Sequence, residues 1–268
     1  MKPLKNFLFV GILAIIFGGC QEKITDKYLV NVPVYMSRQD FKKSVKITES
    51  EDIITPGKIY FKDNLIFINE SLKGIHVIDN TNPASPVFLA FINIPGNMDM
   101  AIKDSILFAD SFIDLVALNI SDIYNITEVG RVDSIFPYTL PPLAEQNLFP
   151  VGAIDASQGI VIGWETKEVE MEVESQNNFP IMERWNFMAE DAIYTKTASS
   201  STGSNSMSVG VGGSMARFTI SGNYLYTVDQ YNLKTFDIDD LSQPLLVSNQ
   251  GIGWGVETVF LYENKLFF

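Results

Sequence analysis

The chain has 268 residues, 19 lysines and arginines against 32 aspartates and glutamates, a formal charge of −13, and an apolar fraction of 46%. That balance excludes nucleic acid as a partner, because phosphate contacts need clustered Lys and Arg. One cysteine and one histidine exclude an intrachain disulfide and a structural zinc cluster.

The first residues read in three parts: Lys2 and Lys5, an apolar run from Phe7 to Phe17, then Gly18 and Gly19 before Cys20. The run is too short for a spanning helix, which needs roughly 20 apolar residues. It has the layout of a cleavable signal peptide over residues 1–19. The position of Cys20 resembles a bacterial lipoprotein signal, with Phe17 where leucine is usual. The resemblance implies a lipid, palmitate included, on Cys20 and a place in the cell envelope at the outer membrane. An acidic surface gains nothing from anionic lipid, so the membrane partner is reached through Cys20.

Residues 20–55 read as a polar tether and a packing arm. Tyr28 to Met36 alternates loosely, and Ser37 caps a short helix through Val45 with Phe41 and Val45 on one face. From Pro56 onward the pattern has period two, broken at Asp63-Asn64, Lys73-Gly74, Asp104-Ser105 and Gly222-Asn223. Those breaks predict short strands joined by tight turns.

The segment FKDNLIFINE (Phe61 to Glu70) matches IKDSILFADS (Ile102 to Ser111) position for position, and ISGNYLYTVD (Ile220 to Asp229) is a third copy. Each is followed by a second motif: HVIDNTNPASP from His76, VALNISDIYNI from Val116 and TFDIDDLSQP from Thr235. The period is about 40 residues, within the range of propeller blades. Asp79, Asn119 and Asp237 close the third strand of their units and read as turn formers. The predicted fold is all-β: a β-propeller of four-stranded blades over residues 56–268, with a short N-terminal helix.

The run IHVID followed by NPASP resembles the LVIVD repeat, after which a family of bacterial β-propeller proteins is named. The stretches FINIPGNMDMAIKDSILFADSFIDLVALNIS and GVGGSMARF are similar to lipid-anchored members from Bacteroidetes envelopes. The resemblance covers most of residues 28 to 268. It implies a fold and a location, and it transfers neither a reaction nor functional residues.

Two irregularities stand out. A further unit opens with AIDASQGIVIGW (Ala153 to Trp164), but a long insertion at about 165–215 replaces its second motif, and such insertions are usually functional loops or linkers. The chain ends at NKLFF, in the second strand of a new unit, which reads as a C-terminally truncated chain and an incomplete propeller.

Few residues suggest chemistry. His76 could be drawn into a triad with Ser71 and Asp79, but strand alternation sends His76 and Asp79 to opposite faces. Glu168, Glu170, Glu172 and Glu174 share one face of a strand and could hold a cation or a basic partner; such a row is more often a solvated, edge-protecting face. The glycines of GVGGS lack the Lys-Ser/Thr of a phosphate loop. No catalytic set, cofactor site or transition-metal site emerges. The reading is a non-catalytic binding or scaffold protein for an envelope protein or glycan. The alternative is an envelope hydrolase or lyase with carboxylates at the propeller axis.

Overall fold

The computed structural model describes residues 25–138, 140–143, 149–172, 216–229, 231–253, 255–256, 258–263 and 265–268. The signal segment, Cys20, Glu174 and most of the expected insertion lie outside the described residues, as does the Glu172 side chain.

The N-terminal arm forms β1 (Thr25–Met36), α1 (Arg38–Lys43) and β2 (Lys46–Thr48). The first repeat unit follows as β3 (Pro56–Lys62), β4 (Leu65–Glu70), β5 (Gly74–Asp79) and β6 (Val87–Asn93). The second comprises β7 (Met100–Lys103), β8 (Ile106–Ser111), β9 (Asp114–Asn119) and β10 (Thr127–Val132). A long strand, β11 (Ile160–Glu172), precedes the third unit of β12 (Phe218–Ser221), β13 (Tyr224–Val228), β14 (Asn232–Asp237) and β15 (Leu245–Gly251). The hairpin β16 (Phe260–Tyr262) and β17 (Lys265–Phe267) ends the chain.

The fold is all-β, and each unit is an antiparallel meander in sequence order. Local chemistry sets the turns. Asp63, Asp104, Gly222 and Glu263 occupy the same place in the first hairpin of successive units, with φ of 53°, 52°, 57° and 45°. This left-handed backbone suits Gly, Asn and Asp, so Glu263 is the strained member. After the third strand, the Asp79 carboxylate accepts the Thr81 N–H at 2.8 Å. The Asn119 amide oxygen accepts that of Ser121 at 2.9 Å, and Asp237 that of Asp239 at 2.9 Å. The turn-forming role expected for these three residues is thus met. The fourth strand repeats too: its ladder slips between Val77 and Ile78, between Glu128 and Gly130, and between Thr235 and Phe236, a bulge at the same place each time.

Period-two alternation explains how the units stack. In the second unit, Ile102, Leu107, Ala109, Val116 and Leu118 pack with Phe67, Ile75, Val77 and Ile92 of the first. The interleaved residues Ala101, Ile106, Phe108, Leu115 and Ala117 pack with Phe218, Leu225, Phe236 and Ile238 of the third. Burial on both faces is why β8 and β9 read as unbroken apolar runs. Each large side chain so buried contributes roughly 1.5–3 kcal/mol. The first strands β3, β7, β12 and β16 are neighbours in that order. The second and third units therefore sit side by side despite the residues between them.

Two sequence expectations need correction. Among the described residues, Ala153–Trp164 does not form the first hairpin of a repeat unit. Asp155 caps a single 3₁₀ turn at Ala156–Gln158, and the strand that follows pairs with β1 along its length, from Tyr35↔Val161 to Thr25↔Glu172. The arm is also more than packing. Besides supplying β1, it adds β2 to the outer edge of the first unit through Ile47↔Ile92, making that sheet five-stranded. The helix starts where expected, with the Ser37 hydroxyl accepting the Asp40 N–H at 3.1 Å, but it ends at Lys43, short of Val45. Its Phe41 is fully buried, 6.1 Å from the Phe112 ring.

Candidate functional site

Strand β11 leaves Glu168 and Glu170 exposed and Val169 half-buried, while Lys167, on the same side as Val169, is exposed as well. The row is not a bare acidic stripe. Lys27, opposite Glu170 in register, pairs with Glu168 at 2.6 Å, and Lys167 pairs with Glu165 at 2.9 Å. Both lysines are well exposed, so these pairs are weak. Among the described residues no three His, Cys, Asp or Glu side chains come together as metal ligands.

Ser71, His76 and Asp79 are not brought together. His76 is fully buried, its Nε2 lies 3.2 Å from Glu70 Oε2, and its ring packs 4.8 Å from that of Phe91. The Ser71 hydroxyl is instead 3.6 Å from the Met98 sulfur. Burial alone would raise the Glu70 carboxyl, but the Thr55 hydroxyl, the Ile54 and Thr55 N–H groups and His76 hold it down at about 2. An ionised Glu70 requires Nε2 to donate, leaving Nδ1 buried without a partner.

The repeat alignment gives this pair a counterpart. Glu70, Ser111 and Asp229 end the matched segments, while His76, Val116 and Lys234 hold the same place in the third strand. Lys234 and Asp229 form a buried ion pair in the third unit. The second unit is neutral at both positions and instead buries Asp114, which pairs with Arg131 and with Arg38 of α1, each at 2.7 Å.

Extending the alignment a few residues upstream puts Lys58, Asp99 and Arg217 in one column, at or just before the first strands. The structure brings them together. Asp99 is fully buried, with one oxygen 2.8 Å from the Lys58 ammonium. The other accepts the N–H groups of Phe218, at 2.8 Å, and Arg217. Lys58 also donates to the carbonyls of Met100, at 2.9 Å, and Phe218, at 3.1 Å. Burial pushes the Asp99 carboxyl up, and Lys58 opposes the rise. Beside it, burial pushes Asp110 up to about 6, with the Arg217 charge opposing. One Asp110 oxygen takes three donors: Asn97 Nδ2 at 2.9 Å, Met98 N at 2.8 Å and Asp99 N at 3.0 Å. This cluster, spanning all three units, is the functional candidate that inspection of single motifs missed; the column of opposite charges was its signal.

The architecture defines an all-β repeat protein built from antiparallel four-stranded units. Residues 212–250, which carry the third unit, match the family model of the LVIVD repeat. The chain carries an LVIVD repeat there, as the resemblance of its motifs implied. No curated protein matches it.

Proposed function

We propose that the chain is an LVIVD-type β-propeller, tethered to the bacterial outer membrane by lipid on Cys20, that serves as a non-catalytic binding scaffold for an envelope protein or glycan. The observation that carries this reading is the use made of Asp99. A carboxylate where the first strands meet is spent on fastening three units through Lys58, Arg217 and Phe218. Its oxygens accept from the chain itself, which suits a rigid platform whose recognition lies at its outer surfaces. Pull-down of the full-length protein from detergent-solubilised envelope tests it. Reproducible capture of the same protein or glycan, lost on competition with the untagged chain, is expected. The absence of any specific partner would refute the scaffold role.

One observation favours the alternative, an envelope hydrolase or lyase using carboxylates at the axis. Asp110 holds a carboxyl near pH 6 beside Asp99 and Arg217, a setting suited to proton transfer. Turnover of an envelope glycan that is abolished by Asp110→Asn, in a chain that still folds, would establish it.

A further inference from the structure

The outer strands of the three units are equivalent in register and bulge, yet their free edges are treated differently. On β6, the C-terminal end of the edge is occupied by β2, with Lys46↔Asn93, Ile47↔Ile92 and Thr48↔Phe91 paired antiparallel. On β10, Glu128 and Arg131 form a two-point ion pair at 2.6 and 2.8 Å, and charge on an edge discourages strand addition. On β15, the sequence LLVSNQG contains no ionisable side chain. Leu245 and Val247 there are 64% and 50% exposed. Among the described residues, β15 has β14 as its only neighbour in the sheet. An uncharged edge with exposed apolar side chains offers a row of unsatisfied N–H and C=O groups to an extended chain.

We propose that the outer edge of β15 is a strand-addition site for an extended segment of a partner protein, paired antiparallel at Asn249–Gly251 as β2 is at the equivalent end of β6 and continuing along the strand to Leu245. The inference rests on the binding reading above and names the surface and the chemistry of the partner. The β2 precedent makes the added strand antiparallel. Its apolar residues lie opposite Leu245 and Val247, and its hydroxyl or amide residues opposite Ser248, Asn249 and Gln250. The strand's C-terminal end falls beside the turn carrying Asp239 and Asp240, both exposed, so a lysine or arginine follows the apolar residues. A second copy of the chain fits poorly. Antiparallel pairing of two β15 edges would set Leu245 against the polar end of its mate, and two chains of charge −13 repel.

Hydrogen–deuterium exchange on the full chain in detergent tests the proposal. The probe is a short synthetic peptide that alternates valine with threonine and ends in two lysines. At saturating peptide, the β15 amides are expected to exchange at least tenfold more slowly, with the Phe91–Asn93 amides of β6 unchanged because β2 fills that part of its edge. Val247→Lys, and separately Asn249→Lys, should each weaken the protection at least tenfold; both positions are exposed, so the fold is retained. Unchanged β15 exchange with peptide, or equal protection in both lysine variants, overturns the proposal. So does protection that rises with protein concentration without peptide, which would identify a second copy as the occupant. If the envelope pull-down captures a partner indifferent to both lysine variants, the edge proposal fails while the binding reading survives; if it captures none, the binding reading itself fails.

Discussion

Lys58 and Asp99 hold the same position in successive repeat units and meet as a buried ion pair 2.8 Å long. The same repeat position filled by opposite charges turns a repeat into a joint, and Asp99 then reaches onward to the backbone of the third unit at Arg217 and Phe218. Removing one partner strands the other in a desolvated site, which typically costs about 3–5 kcal/mol. Lys58→Met and Asp99→Leu should each destabilise by about that amount in urea unfolding, and the double variant by much less than the sum. Full additivity would mean that the two residues act independently.

Asp110 should make stability fall as pH rises. Its folded carboxyl sits near 6 against an ordinary 3.8, so ionisation is disfavoured in the folded chain. The resulting loss sets in above about pH 4 and is complete above about pH 6. Asp110→Asn keeps an acceptor for the Asn97, Met98 and Asp99 donors. The variant should gain up to about 3 kcal/mol over the parent above pH 6 and little below pH 4, read from unfolding midpoints across that range.

Glu70 works with the opposite sign. Held at about 2 against 4.5, its carboxylate stabilises the fold fully above about pH 4.5, and that contribution drains away as pH falls towards 2. Glu70→Gln should flatten this part of the acid limb and lower stability at pH 7 by up to about 3 kcal/mol. An unchanged acid limb would show that Glu70 has the same affinity for protons in both states.

Phe41 anchors the arm. It lies under the guanidinium groups of Arg38 and Arg131, 5.7 and 5.8 Å from its ring centre. Phe41→Ala should cost about 3–5 kcal/mol and speed amide exchange in α1 and β2 before the central strands β8 and β9. By contrast, Glu168→Gln should change stability by less than about 0.5 kcal/mol, because its pair with Lys27 is solvent-exposed.

What could be read from the chain alone was local. Asp63 and Asp104 announce their hairpins because the left-handed turn selects such residues, and Ser37 announces the helix because a hydroxyl must accept an orphan N–H. The unbroken apolar runs of β8 and β9 carried the two-sided packing of the second unit. The pairing of β1 with β11 was hidden because it joins segments more than a hundred residues apart, and register between them depends on tertiary placement. The Lys58, Asp99 and Arg217 column was hidden differently. Repeat matching weighs similarity, and these positions share a place while differing in charge. His76 illustrates a third limit, since alternation separated it from Asp79 but did not reveal its partner Glu70, across a tight turn.

The seam between the second and third units has a consequence for how this architecture can vary. Asp99, the Lys103 contacts to Gly222 and Asn223 at 2.9 and 2.8 Å, the close approach of Gly130 to Ser242 and the packing of Phe136 against Phe218 together fasten the joint. Chain length between two docked ends enters stability only logarithmically, at about 0.6 kcal/mol per doubling. A seam fastened from both flanking units is therefore expected to hold its register when the length of chain between them changes.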